Sequence, residues 1–435
     1  MARKMKDSGI EWIGEIPEGW EIHRIKTHFS IISGSGFKPE LQGQSTGDFP
    51  VCKASDISGS GHYLHTSANY ISSDIVKSQH FSIIPKGSIL FAKIGEAMRK
   101  NNRSLCSLDC CVDNNCQGLV PKNISSEFSY YLFTCIDMTW FDNAGTIPCI
   151  NNQKLYDCRI PFPSYDEQLL IANHLNIQCD KINEMLFHIR ASIEEYKKLK
   201  QAVITQAVTK GVRGEREMKK DSRVEWIGEI PKEWKITKIK SGVTKIGSGK
   251  TPSGGAETYT DSGVIFLRSQ NVYDCTLNLE SPTYISPEVD ATMKSTRVLP
   301  DDVLLNITGG SIGRCSIVPK TLGLANVNQH VCIIRTNPLI FLPKYMQYFW
   351  VSTLGHLAID LYQTGGNREG MSADAIRNTP IPYAPLKEQK EIVAYLDAKC
   401  AEIDGLIAKK EQLVKELESY KKSLIYEVVT GKREV

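Results

Sequence analysis

Apolar and polar residues form two kinds of pattern along this chain, short strand-like runs and long helical stretches. The two patterns occur in this order twice. Short runs rich in β-branched and aromatic residues, such as FSIIPKGSILFAKI (81–94) and VIFLRSQNV (264–272), are bounded by turn-forming residues and predict β-strands. Each strand region precedes a long stretch, 167–209 or 388–430, that has no Pro and only one Gly, Gly405. These two stretches predict long helices.

Both helical stretches carry apolar residues at a spacing of seven, which is typical of a coiled-coil seam. The predicted seam consists of Leu175, Ile182, Ile189, Tyr196 and Val203 in the first helix and Leu396, Ile403, Leu417 and Leu424 in the second, with Lys410 as an interruption. The apolar residues expected beside it are Met185, Leu186, Ile193 and Leu199 in the first helix and Ile407, Leu413, Val414 and Tyr420 in the second. A 43-residue helix is ~65 Å long, more than a small domain covers, which favours antiparallel pairing of the helices over separate packing on each domain.

The whole chain is a tandem duplication. EWIGEIP occurs at 11–17 and 225–231 inside a longer gapless match, and GSGFKP (34–39) pairs with GSGKTP (247–252). The predicted fold class is α+β, with a β-rich domain and a long helix in each half. The predicted segments are 1–165 (first domain), 166–212 (first helix), 213–386 (second domain) and 387–435 (second helix).

The repeated EWIGEIP segment is predicted to be a structural joint. If the second helix runs back along the first, it ends beside residues 7–26, so that both copies lie where a helix end meets a domain. Trp12 and Trp226 are the expected apolar anchors of the two joints.

Composition narrows the function classes only moderately. With 435 residues, 41% of them hydrophobic, the chain is long enough for two or three folded domains. The 13 cysteines have no regular spacing and are expected to be reduced, and no apolar run is long enough to span a bilayer, so the expected location is the cytoplasm. The net charge of +3 neither requires nor excludes nucleic acid.

Several motifs resemble enzyme signatures but lack the required context. GSGKT (247–251) has Thr244 where a phosphate-binding loop needs its first Gly, and Pro252 follows where a helix should begin. GGSIG (309–313) lies between two predicted strands rather than at a strand-to-helix turn. Cys106, Cys110, Cys111 and Cys116 lack the paired spacing of a zinc site. No catalytic residue and no metal ligand is therefore predicted.

Polar and basic residues recur at equivalent places in the two strand regions. Lys, Arg, Asn and Gln are the side chains that contact phosphates and read base edges in duplex DNA. The candidate DNA-binding residues are Lys53, Ser55, Asp56, Arg99, Lys100, Asn101, Asn102 and Arg103 in the first half, and Lys250, Thr251, Arg268, Ser269, Gln270, Asn271, Arg314, Asn328 and Gln329 in the second. A solvated loop would explain any one of them, but their recurrence favours a shared surface.

The chain resembles, over essentially its whole length, the specificity subunit of type I restriction–modification systems. IPFPSYDEQLLIANHL (160–175) and IPYAPLKEQKEIVAYL (381–396) stand where that family has its helix-start pattern, and GSGKTP and LLNITGGSIG are similar to its second-domain signatures. The first domain departs more, since GSGFKP and ILFAKIGEAM lack the Thr-Pro and Gly-Ser-Ile-Gly forms.

The resemblance implies a non-catalytic DNA-binding subunit in which each domain reads half of a bipartite target and the coiled coil sets the spacer. It also implies two methyltransferase subunits that carry S-adenosylmethionine, with restriction subunits using ATP and magnesium to complete an endonuclease. No cofactor is expected on this chain. The open alternatives are an adapter of a methylation-only complex, a coiled-coil scaffold without a DNA role, and an enzyme using GSGKT or GGSIG.

Overall fold

The structure is a computed structural model that describes residues 3–143, 145–215, 217–219, 224–363 and 370–435. Its contacts divide the chain into two compact units. The first unit comprises Met1–Ile189 together with Gln412–Val435, and the second comprises Arg190–Glu411. Each unit therefore combines one strand region with parts of both long helices.

The first unit contains a mixed five-stranded sheet and a smaller three-stranded sheet. Its strands are β1 (Met5–Asp7), β2 (Glu15–Pro17), β3 (Glu21–Arg24), β4 (Phe29–Ser33), β5 (Phe49–Cys52), β6 (Tyr63–Leu64), β7 (Tyr70–Ile71), β8 (Ile89–Ala92), β9 (Arg103–Cys106), β10 (Cys111–Val112), β11 (Cys116–Pro121) and β12 (Arg159–Phe162). Its helices are α1 (Ile25–His28), α2 (Ala54–Gly59), α3 (Ser73–Ser78), α4 (Gly95–Arg99), α5 (Ser126–Thr134), α6 (Asn152–Asp157) and the long α7 (Tyr165–Lys210), which continues into the second unit. The strand orders are β4-β11-β8-β9-β6 and β10-β5-β7.

The second unit repeats this plan with two four-stranded sheets. Its strands are β13 (Met218–Lys219), β14 (Ile230–Pro231), β15 (Lys235–Lys238), β16 (Val243–Ser248), β17 (Tyr259–Thr260), β18 (Val264–Leu267), β19 (Val272–Tyr273), β20 (Thr276–Leu277), β21 (Thr283–Ile285), β22 (Val303–Asn306), β23 (Cys315–Ile317), β24 (Ala325–Val327), β25 (Val331–Thr336) and β26 (Pro380–Tyr383). Its helices are α8 (Pro287–Thr292), α9 (Pro343–Val351), α10 (Thr353–Tyr362), α11 (Ala373–Asn378) and the long α12 (Leu386–Val429), whose last part lies in the first unit. The strand orders are β16-β25-β22-β23 and β17-β21-β18-β24.

Each unit has its main core between the larger sheet, one short helix and a long helix. In the first unit, Phe91 of β8, Leu132 of α5 and Leu175 of α7 are buried in one cluster. In the second, Leu305 of β22 and Phe349 of α9 share a cluster with Leu396 of α12. Burial of side chains of this size stabilises a fold by about 1.5–3 kcal/mol each, so the long helices are held by the domains as well as by each other.

Within each unit the long helices pack against each other in antiparallel directions. In the first unit, Lys421 donates to the side chain of Asn183 at 2.7 Å. In the second unit, Lys200 contacts Asp404 at 2.7 Å, and the ammonium of Lys410 lies 5.6 Å from the ring centre of Tyr196. Because the residue number rises in one helix as it falls in the other, the helices run in opposite directions. The predicted α+β fold with antiparallel helices is confirmed.

The buried seam follows alternating steps of three and four residues rather than a step of seven alone. Leu175, Cys179, Ile182 and Leu186 are all buried along α7, and Leu396, Cys400 and Ile403 along α12. Ile189, Tyr196, Val203 and Leu417 are half-buried, and Leu424 is buried. Of the residues expected beside the seam, Leu186 and Ile193 are buried, and Ile407 and Val414 are half-buried. The expectation was wrong for the other four, because Met185, Leu199, Leu413 and Tyr420 are 43–49% exposed.

The repeated EWIGEIP segment is a joint, as predicted, but its deepest anchors are different residues. Trp20 and Trp234, a few positions further on, are almost completely buried, whereas Trp12 and Trp226 are half-buried. In the first unit the hydroxyl of Tyr426 donates to the carbonyl of Trp12 at 3.0 Å, which places the end of α12 on the joint. Trp20 and Trp234 are therefore the main apolar anchors of the two joints, because their indoles are buried in the cores of the two units.

Candidate nucleic-acid interface

In the second unit, three strand ends bring polar residues together. Strands β18 and β24 are parallel, so their carboxyl ends lie side by side, and the backbone N–H of Asn328 donates to the carbonyl of Leu267 at 3.0 Å. Just beyond β22, the N–H of Ile307 donates to the carbonyl of His330 at 3.0 Å. We call the residues that follow these strands, 268–271, 306–308 and 328–330, the second edge.

The first unit builds the same arrangement from equivalent strands. Strands β5 and β10 are parallel, and the N–H of Asp113 donates to the carbonyl of Cys52 at 3.2 Å. Just beyond β8, the N–H of Lys93 donates to the carbonyl of Asn115 at 2.8 Å. We call the corresponding residues, 53–56, 93 and 113–115, the first edge. Loops at the ends of rigid strands are well suited to carry binding residues.

A glycine packs against each edge and corrects the alignment of the two halves. A Cβ atom on Gly34 would lie 1.9 Å from the carbonyl oxygen of Asp113, and one on Gly249 would lie 2.0 Å from that of Val327. Gly34 is therefore equivalent to Gly249, not to Gly247 as the GSG match had suggested. Lys250 and Thr251 of the second half consequently have Ser35 and Gly36 as counterparts, so the first half has no basic residue there.

Each edge places a cation over an aromatic ring. The ammonium of Lys53 lies 5.4 Å from the ring centre of Phe37 and donates to Gln42 at 2.7 Å. The guanidinium of Arg268 lies 5.6 Å from the ring centre of Tyr259. Such contacts orient a charged group without neutralising it. Both edges therefore present a fixed positive charge with free hydrogen-bond donors.

Comparison with known proteins identifies the family. Residues 17–195 and 231–416, well over half of the chain, match the type I restriction modification DNA specificity domain. The chain belongs to this family. Its role is therefore in DNA sequence specificity, and this agrees with the resemblance noted in the sequence.

Individual relatives match along nearly the whole length. The type I restriction enzyme MjaVIII specificity subunit of Methanocaldococcus jannaschii is 25% identical over 443 residues, covering 96% of this chain and 93% of the relative. The EcoKI specificity subunit of Escherichia coli is 21% identical over 433 residues, covering 93% and 88%. A chain from a solved structure of type I R-M complex assembly and conformational transition has a TM-score of 0.69 at 16% identity, over 96% of this chain and 99% of that chain, and so shares the fold.

Within this specificity-domain fold, two of the predicted DNA-binding residues have local structural roles. The carboxylate of Asp56 accepts the backbone N–H of Lys53 at 2.7 Å, and the side-chain oxygen of Asn271 accepts the backbone N–H of Arg268 at 2.9 Å. Both bonds fix the start of a short helical turn, as N-terminal capping contacts do. Asp56 and Asn271 therefore position the basic residues of the edges.

The basic run at 99–103 divides between surface and interior. Arg99 and Lys100 are exposed at the end of α4, and Arg99 lies 3.7 Å from Glu96. Arg103 is 6% exposed and donates to the carbonyl of Ile136 at 3.0 Å. Burial lowers the pKa of Arg103 to about 10. Arg103 therefore belongs to the interior of the first unit rather than to a surface that DNA can reach.

The asparagines of the predicted set are largely engaged in the fold. Asn101 accepts the backbone N–H of Met138 at 3.0 Å, and Asn102 donates to Ser58 at 3.0 Å. Asn328 is 8% exposed and accepts the backbone N–H of His330 at 3.2 Å. The hydrogen bonds of these side-chain amides stabilise the loops, so few of their donors and acceptors are left to bond a base.

The remaining predicted residues lie at the surface of their loops. Ser55, Lys250, Thr251, Gln270 and Gln329 are exposed, and Ser269 is half-buried. Arg314 lies over the ring of Tyr273 at 4.6 Å. These residues retain donors or acceptors that are accessible to a ligand, and they are the part of the predicted set suited to contact DNA.

Sequence reasoning missed several polar residues that the structure places at the edges. Thr251 donates to Gln329, whose amide lies 3.1 Å from His330, and His330 lies 2.5 Å from the hydroxyl of Thr308. Lys93 in the first unit is likewise part of an edge. Thr308 lies inside LLNITGGSIG and Lys93 inside ILFAKIGEAM, but those segments did not show which of their residues face a ligand. The pairing of strand ends places both of them, and His330, at the edges.

The chemistry of these surfaces suits recognition rather than catalysis. The edges offer hydroxyl, amide and basic groups, which donate to phosphates and base edges. Among the residues that the structure describes, no cluster of three or more His, Cys, Asp or Glu is arranged to hold a metal ion. No helix in the described part of the chain is long and apolar enough to cross a membrane.

Proposed function

We propose that this chain is the specificity subunit of a type I restriction–modification complex in which each unit reads one half of a bipartite DNA target. The observation that carries this proposal is the pair of equivalent edges. The two units share the backbone arrangement but present different side chains: Lys53 stands where the second unit has Arg268, and Asn115 where it has His330. An equivalent backbone arrangement that carries different side chains in the two units is suited to recognising two different half-site sequences.

Binding combines two kinds of contact. Exposed basic residues such as Arg99, Lys100 and Lys250 hold the phosphate backbone and make affinity decrease with salt. The edges read bases in the major groove. The antiparallel helices fix the length of the unread spacer between the half-sites, because paired helices form a stiff element.

The family to which the chain belongs supports the remaining components of the proposed complex. Two methyltransferase subunits dock on this subunit, bind S-adenosylmethionine and methylate adenine in the target. Restriction subunits with ATP and magnesium complete the endonuclease. This chain supplies recognition and binds none of these cofactors itself.

Sequencing of adenine methylation in the source cell, with and without this gene, tests the proposal. Loss of methylation at one split motif in the deletion strain, with recovery on complementation, is the expected result. It would also deliver both half-sites. A methylation pattern unchanged by deletion, in cells where the partner methyltransferase is shown to be expressed and active, would contradict the proposed role.

A further inference from the structure

Among the described residues, Arg268 of the second edge has no acidic partner, unlike Arg297 and Arg335 of the same unit. Arg297 contacts the buried carboxylate of Asp290, and Arg335 makes two 2.7 Å bonds to that of Asp302. Within the described residues, the guanidinium of Arg268 forms no ion pair, and its buried Nε has no hydrogen-bond partner. Its charge is therefore available to a ligand that offers acceptors.

Two contacts fix the position of this free guanidinium. The backbone N–H of Arg268 is held by Asn271, which is 5% exposed and itself donates to the carbonyl of Asn278 at 3.0 Å. The ring of Tyr259 supports the guanidinium at 5.6 Å. Because the backbone and the side chain are both held before DNA arrives, less entropy is lost when the donors are used.

The chemistry of Arg268 selects among the base edges. A guanidinium donates only, and its planar fork matches two neighbouring acceptors. In the major groove, guanine alone presents two acceptors together, N7 and O6, whereas adenine pairs an acceptor with a donor. We propose that Arg268 reads a guanine in the half-site of the second unit, an inference that rests on the proposed function.

The first edge extends the inference to the other half-site. Lys53 occupies the place equivalent to Arg268, lies over Phe37, and uses one of its three donors on Gln42. The first half-site accordingly contains a guanine as well, read by Lys53. A lysine is a single charged point rather than a planar fork, so discrimination at this guanine is weaker than at the one read by Arg268.

The test uses the complex of this chain with its methyltransferase subunits and duplexes that carry the motif found by methylation sequencing. Each guanine of a half-site is replaced in turn by 7-deazaguanine, which lacks the N7 acceptor. One such replacement in the second half-site is expected to weaken binding by the wild-type complex about 5- to 150-fold, the range of a good base contact. The Arg268→Ala complex is expected to bind the unmodified duplex and the 7-deazaguanine duplex with equal affinity.

Lys53→Ala is the matched control, because it should abolish sensitivity to 7-deazaguanine only in the first half-site. A second half-site without guanine, or one whose guanines all tolerate the replacement in the wild-type complex, would overturn the inference. Those two outcomes need no variant to fold, and they leave the proposed function standing. Persistent sensitivity in the folded Arg268→Ala complex would also overturn it, whereas absence of any gene-dependent motif would instead refute the proposed function.

Discussion

At the residue scale, one hydrogen bond recurs at both joints. The indole N–H of Trp20 donates to Glu167 at 2.9 Å, and that of Trp234 donates to Glu388 at the same distance. Glu167 lies in the first turn of α7, and Glu388 lies in the first turn of α12. A bond from a buried donor to a carboxylate is worth more than a neutral one. The joint is thus fixed by polar as well as apolar contacts.

Replacing Trp20 by Phe should lower the free energy of unfolding by about 2–3 kcal/mol, because the charge-assisted bond to Glu167 is lost and Phe fills less space. Urea titration followed by circular dichroism measures this. Trp140→Phe is the matched control, since Trp140 is 46% exposed, and it should change stability by less than about 0.5 kcal/mol. Equal effects of the two replacements would show that the Trp20 bond contributes nothing specific.

A buried carboxylate in the second unit gives a pH prediction. Burial would raise the pKa of Asp290, but hydrogen bonds from Arg297 and Asn326 outweigh it, so that the pKa lies below its ordinary value. A lowered pKa contributes stability above the unfolded-state value of about 4 and loses it as the pH falls through the folded value. Asp290→Asn should therefore cost about 1–3 kcal/mol near neutral pH.

The pH series distinguishes this ionic contribution from a packing effect. The stability difference between wild type and Asp290→Asn should narrow as the pH is lowered from 6 to 3, as measured by urea unfolding at each pH. A difference that stays constant over this range would mean that the Asp290 charge does not contribute.

Single-residue roles were the least predictable part of the candidate site. Arg103 and Asn271 are of residue types that commonly contact DNA. In the structure, however, Arg103 is buried and donates to the carbonyl of Ile136, and Asn271 caps the short helical turn that follows Arg268. The sequence shows which residues could bind DNA, but the direction of a loop side chain depends on contacts with residues far away in the chain. Arg268 was recognised as a candidate, but its free guanidinium became apparent only from the contacts around it.

At the scale of elements, the sequence was more informative. The two long helices begin within two residues of the predicted positions and end within one, since Pro and Gly punctuate them. The step of seven identified one row of the seam, and Leu186 and Ile193 of the second row were expected beside it. The other expected neighbours include exposed residues, because apolar character alone does not show which face of the helix is buried. Leu413 and Val414 have similar apolar character, so the sequence alone could not decide which faces the partner helix.

Leu424 provides a test of the seam. It is 1% exposed, and Leu424→Ala should lower the free energy of unfolding by about 2–5 kcal/mol through loss of burial and a residual cavity. Leu413→Ala is the matched control on the same helix, because Leu413 is 43% exposed and its loss should cost less than about 0.5 kcal/mol. Thermal or urea unfolding measures both, and a greater cost for Leu413→Ala would mean that the assigned seam is wrong.

At the scale of the whole molecule, duplication separates framework from specificity. Both units use parallel strand pairs, β5 with β10 and β18 with β24, to bring their edges together. The repeat could be found in the sequence because the joints and helix starts are nearly identical. The edges could be found only in part, because residues 53–56 and 268–271 recur as polar groups at equivalent places, whereas Asn115 and His330 occupy equivalent places with unlike side chains.

Exchange of one domain tests this separation. Replacing residues 27–160 with the corresponding segment of a relative should change one half of the methylated motif and leave the other half and the spacer intact, because both long helices lie outside the exchanged segment. Methylation sequencing of cells carrying the hybrid gene measures the result. A change in both halves would contradict independent reading by the two units.

The division of the chain between the units also sets an order of events during synthesis. The second unit is continuous, Arg190–Glu411, whereas the first needs Gln412–Val435 to complete a core that includes Leu424 and Val428. Domains fold as they leave the ribosome. The first unit is therefore the first to begin synthesis but the last to complete its fold, after the second unit. A ribosome that stops before residue 412 therefore releases a chain whose second unit is complete but whose first unit still exposes the apolar face that Leu424 and Val428 would cover.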